Sequence, residues 1–159
     1  MIESIHIFLG FSSLVFGLVV SLRPKGTPIY RVMGLLYVAS MVGLNIMVFG
    51  IYRLFDGFGV FHVFAIVSLA TIIVGLVKVK RRKSSNWLVE HFENRSWSYV
   101  GLLAATNNEI FLDIYSFNEV GQNYPLFVLL MTFVVIAVSG LGIYKKRVAL
   151  VGKYGLRAA

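Results

Sequence analysis

Five apolar runs dominate the chain, at residues 4–22, 30–52, 58–77, 95–113 and 125–144. A helix of roughly 20 apolar residues crosses about 30 Å of hydrocarbon, so each run is long enough to span a membrane. Within lipid a backbone must satisfy its own hydrogen bonds, and continuous helices do so within the segment. Only 14% of the 159 residues are charged, too few to cover a water-soluble domain of this size. Pro24, Pro28 and Pro125 stand at run ends, where a missing backbone donor costs least. The expected fold is all-α and polytopic: a five-span transmembrane domain over residues 1–147, then a basic cytoplasmic tail over 148–159.

The basic residues indicate sidedness. Arg23, Lys25 and Arg31 cluster at the first gap, and Lys78, Lys80, Arg81, Arg82, Lys83 and Arg95 at the third. Lys145, Lys146, Arg147, Lys153 and Arg157 follow the last run, leaving only Arg53 at the second gap. The fourth gap holds Asp113 and Glu119 instead. Because cytoplasmic loops retain Lys and Arg, this alternation predicts an outside N-terminus, a cytoplasmic C-terminus and an odd number of spans. The expected location is a bacterial cytoplasmic membrane. Glu3 precedes the first run and Arg23 and Lys25 follow it, the reverse of a cleaved signal peptide, so the first span is expected to stay attached.

A formal charge of +8 does not point to nucleic acid, since the basic residues flank apolar spans rather than cover a soluble face. They could hold anionic lipid headgroups, although a topology determinant is the stronger reading. Trp87, Trp97, Tyr52, Tyr115 and Tyr124 near span ends are expected interface anchors. The chain has no cysteine, which removes thiolate metal sites, disulfides and cysteine nucleophiles. Phosphate-binding loops, nucleophile elbows and dinucleotide fingerprints are absent from the sequence.

At about 100° per residue, His6, Gly10, Ser13, Gly17 and Ser21 form one small, polar stripe on the first span. Such stripes let membrane helices approach closely. On the second span Tyr30, Gly34, Met41 and Asn45 share a broad face, and Asn45 lies deep enough that it must face another helix. The fourth span is the least apolar, with Ser96, Ser98, Thr106, Asn107, Asn108 and Glu109, and is expected to be central. The fifth has no ionisable residue before Tyr144 and is expected at the periphery, against a four-helix bundle of the first four spans.

Span direction brings His6, His62 and Glu109 toward one outer layer, with Asn45 and Asn108 within reach of it. Tyr30 and His91 mark a poorer inner layer, and His91 lies eighteen residues from Glu109 on one helix face. Two histidines on the first and third helices suit axial ligation of a b-type haem, with Gly10 leaving room and Asn45 and Glu109 in support. His6, His62 and Glu109 also form the ligand set of a zinc-like metal site, for a membrane hydrolase or for metal handling, although the spacing matches no zinc motif. The third reading is an accessory or assembly subunit whose stripes pack against a membrane-protein partner or another copy of the chain.

The segment His6-Ile-Phe-Leu-Gly10, the Lys25-Gly26 pair, and Tyr30-Arg31-Val-Met-Gly34-Leu-Leu-Tyr37 with Met41 form an ordered series. With His91 and Ser96-Trp-Ser98-Tyr99-Val-Gly-Leu, the series resembles a bacterial family catalogued as domain of unknown function 2306. The resemblance implies a multi-pass membrane protein and supplies no reaction. That family usually shows a histidine after the Lys-Gly pair, where this chain has Tyr30, so an inner histidine pair would be incomplete here.

Overall fold

A computed structural model describes residues 2–23, 27–50, 58–81, 86–114 and 124–154. They form five helices and, among the described residues, no strand: α1 (Ile2–Leu22), α2 (Pro28–Val48), α3 (Val60–Arg81), α4 (Trp87–Ile114) and α5 (Tyr124–Tyr154). Tyr52, Tyr115, Lys25, Arg53, Arg82, Lys83, Glu119 and Arg157, all named in the sequence reading, lie outside the described residues. Four helices are long and apolar enough to cross a membrane, with windows at Glu3–Leu22, Pro28–Val48, His62–Arg81 and Leu126–Gly152. At 28 residues α4 is long enough but too polar to qualify by composition.

The chain divides into two compact units, residues 1–73 and 74–159. In the first unit α1 and α2 run antiparallel with backbones close together. Ser13 Oγ donates to Ser40 Oγ at 2.9 Å, a Cβ on Gly10 would meet Leu44 at 3.7 Å, and one on Gly43 would meet Leu9 at 3.2 Å. The stripe on α1 is therefore the seam: Ser13 is fully buried and Gly17 is buried, while Phe8, Phe11 and Leu18 face outward. Exposed apolar side chains on such a helix are where hydrocarbon would sit, so small residues rather than large ones mark the interior.

Hydroxyls inside the first unit fold back on their own helices when they are not crossing between helices. Ser40 Oγ donates to the Tyr37 carbonyl, Ser21 Oγ to that of Gly17, and Thr71 Oγ1 to that of Ser68. This satisfies donors that lipid could not. The start of α2 is fixed by Thr27, whose side chain accepts from the Tyr30 N–H at 3.2 Å, with Pro28 beside the cap. Proline suits that place because its nitrogen has no hydrogen to leave unsatisfied.

In the second unit α4 and α5 are antiparallel along most of their length. Moving up α4, Glu93 meets Arg147, Trp97 lies against Gly140, Asn108 donates to Thr132 and Phe111 stacks on Phe127. From residue 93 to residue 111 the pairing covers about 27 Å, close to the hydrocarbon thickness. The end of α3 lies against α4 at Gly75, where a Cβ would stand 3.5 Å from Asn94 Cβ, and is joined to it by a Lys78–Glu90 ion pair at 3.1 Å. As expected from its composition, α5 is the least buried of the four apolar helices, yet Val128, Thr132 and Ile143 are buried.

Candidate functional site

The polar layer of the first unit that contains Asn45 and His62 is built on α2. Its buried face carries Tyr37, Ser40, Met41, Leu44 and Asn45, so Ser40 reaches α1 while Asn45 reaches α3. Asn45 is 5% exposed, and its amide nitrogen donates to the Met41 carbonyl at 2.7 Å and to Ser68 Oγ at 3.1 Å. The sequence required Asn45 to face another helix, and that helix is α3. Its partner Ser68 was not foreseen, because a single serine in an apolar run gives no signal of its own.

His62 is 3% exposed and lies in the first turn of α3, held against Phe58 and Phe49 at ring-centroid distances of 4.9 and 5.9 Å. The Gly59 N–H donates to His62 Nδ1 at 3.1 Å, and the His62 N–H donates to the Gly59 carbonyl at 3.1 Å. This is a reciprocal helix cap in which histidine does the work usually given to glutamate or glutamine. With Nδ1 accepting, a neutral imidazole carries its proton on Nε2. Imidazoles that bind metals usually have the opposite arrangement, donating from the second nitrogen to an acceptor.

His6 is half-buried on α1. Its height follows from the pairings of α2. Counting back three residues from the Leu9–Gly43 contact puts His6 level with residue 46, while His62 touches Phe49. Three residues on one helix amount to about 4.5 Å and the Phe49–His62 ring contact spans 5.9 Å, so the two imidazoles lie within about two turns in height. Asn45 occupies the same layer, and neither ring is on the exposed lipid-facing side of its helix.

The remaining sequence candidates belong to the second unit. Glu109 is exposed, whereas its neighbour Asn108 is 1% exposed and donates from Nδ2 to Thr132 Oγ1 at 2.9 Å. Asn108 Oδ1 is buried with no hydrogen-bond partner among the described residues. Thr132 was missed for the reason Ser68 was: α5 looked uniformly apolar. His91 is half-buried between Glu90 and Glu93, the two glutamates that pair with Lys78 and Arg147. Among the described residues there is no group of three or more histidine or acidic side chains able to hold a metal ion. His6 and His62 belong to the first unit and Glu109 to the second.

The helices and their lipid-like outer faces define a polytopic α-helical membrane protein. A family model described as "Predicted membrane protein (DUF2306)" matches residues 4–146, and the chain belongs to that family. No curated protein and no solved structure matches it.

Proposed function

We propose that the chain is a five-span protein of the bacterial cytoplasmic membrane, N-terminus outside, whose first unit holds a b-type haem between His6 and His62 for electron transfer. The fifth span of this reading is α4, supported by its pairing along α5 over a distance matching the hydrocarbon thickness. Orientation rests on the alternation of basic gaps.

The observation that carries the site is the similar height of the two imidazoles, both referred to the C-terminal end of α2. Ligation through His62 Nε2 requires its proton to move and the Gly59 bond to be released. A neutral hydrogen bond is worth about 1 kcal/mol net, small beside metal–ligand binding energies on the order of 10 kcal/mol for a complete site. The cap therefore sets a modest cost rather than a barrier. Asn45 acts as a positioning residue that ties α3 to α2. Glu109, exposed in the second unit, has no part in this two-ligand site.

The reciprocal Gly59–His62 cap favours a second reading, a non-catalytic accessory subunit in which His62 only fixes the start of α3. Titrating the purified full-length protein with haem separates the two. The electron-transfer reading expects a stoichiometric, low-spin, six-coordinate spectrum that disappears in both His6→Ala and His62→Ala and persists in His91→Ala. Absence of a saturable spectrum in folded protein, or its survival in both outer-layer variants, favours the accessory role.

A further inference from the structure

We propose that one end of the second unit is a binding site for anionic phospholipid headgroups, assembled by two glutamates that draw α3 and α5 onto one face of α4. Glu90 and Glu93 are three residues apart and hence on the same side of the helix. Lys78 of α3 pairs with the first at 3.1 Å and Arg147 of α5 with the second at 3.2 Å. Those pairs account for both acidic residues. Lys80, Arg81, Lys145 and Lys146 are exposed and make no ion pair among the described residues.

The height of this basic band fits the phosphate layer of a bilayer. On α3 the change from apolar to basic falls between Val77 and Lys78, and on α5 between Tyr144 and Lys145. Carried onto α4 through the Lys78–Glu90 and Arg147–Glu93 pairs, the two changes lie about five residues apart, roughly 7–8 Å along the helix. From Lys145 outward to Arg81 the band is about eight residues deep, or roughly 12 Å, so it spans the headgroup layer and reaches a little beyond it. The headgroup region on each side of the hydrocarbon is about 5–8 Å thick. Exposed Leu141 and Tyr144 stand immediately on the hydrocarbon side. A phosphodiester lipid whose tails lie against this apolar surface thus has its charge at the level of the band, and the glutamates keep the cations of two helices clustered there.

The test uses full-length protein purified in detergent, with phosphatidylglycerol and phosphatidylcholine as probes and native mass spectrometry counting retained lipid. Each surface cation contributes about fivefold in affinity for anionic lipid. Lys145→Gln with Lys146→Gln should weaken phosphatidylglycerol retention at least about fivefold and leave phosphatidylcholine unchanged. Arg23→Gln with Arg31→Gln removes the same charge from exposed positions of the first unit and should change it less than twofold. Glu90→Gln with Glu93→Gln, which removes the two pairs that hold the cations of α3 and α5 together, should weaken phosphatidylglycerol retention, and unchanged or stronger retention would overturn the assembling role of the glutamates. Equal losses in the two lysine and arginine variants, or equal retention of the two lipids by the unaltered protein, would overturn the proposal.

Discussion

Asn45 offers the sharpest test of how polar residues organise the first unit. It is 5% exposed and links α2 to α3 through one hydrogen bond to Ser68, at 3.1 Å, while the same nitrogen also reaches the Met41 carbonyl. Asn45→Ala removes the amide and leaves a gap, whereas Asn45→Leu keeps the volume and removes only the polarity. Interhelical hydrogen bonds in membranes average about 0.6 kcal/mol and reach about 1.7, because the separated helices find other partners. Leucine should therefore cost about 0.5–1.5 kcal/mol, and alanine about 1–3 kcal/mol once the cavity is included. A double-mutant cycle of Asn45→Leu with Ser68→Ala, followed by reversible unfolding in mixed micelles, isolates the bond. We expect a coupling of about 0.6–1.7 kcal/mol. Additive effects, with coupling indistinguishable from zero, would refute the claim that this amide holds α3 against α2.

Three further outcomes follow from other contacts. Thr132→Val removes the only described partner of Asn108 and should destabilise the second unit by about 1–3 kcal/mol, with Asn108→Leu added in the same chain restoring part of the loss. Gly140→Val adds a side chain where a Cβ alone would stand 3.3 Å from Trp97 Cη2; the indole must give way, which a shift in Trp97 fluorescence in a Trp87→Phe background reports. Thr27→Ala removes the acceptor for the Tyr30 N–H, and should cost about 1 kcal/mol and speed hydrogen exchange at that amide.

The apolar runs placed all five helices, because hydrocarbon length and backbone satisfaction leave few alternatives. Their ends were less legible. Residues 78–81, 87–94 and 145–154 extend α3, α4 and α5 beyond the apolar runs, and hydropathy marks where lipid stops rather than where a helix stops. Beyond the lipid the helices are tied by the Lys78–Glu90 and Arg147–Glu93 pairs, which are partly exposed and worth about 0–1 kcal/mol each. Helical spacing alone identified the α1 seam, since Gly10, Ser13 and Gly17 repeat on one face.

The burial of two candidate residues was legible in the sequence, and the states of their side chains were less so. Asn45 and His62 could be placed inside from the cost of exposing them to lipid. Spacing could not reveal that His62 Nδ1 would accept the Gly59 N–H, because that depends on the backbone entering α3. A glycine three residues ahead of a histidine, just before an apolar run, is the signal that could have suggested it. Glu109 and Asn108 are adjacent in sequence and differ in burial, a one-residue distinction that a helix-face argument with uncertain phase does not resolve.

A haem held between His6 and His62 requires the two residues to share one depth in the membrane. The chain contains no cysteine, so single cysteines at positions 6 and 62 can each carry a nitroxide without background labelling. Paramagnetic-relaxation depth measurements in bilayers should place the two labels within about 10 Å along the membrane normal, the rise of about seven helical residues. Depths differing by more than about 15 Å, half the hydrocarbon thickness, would contradict it.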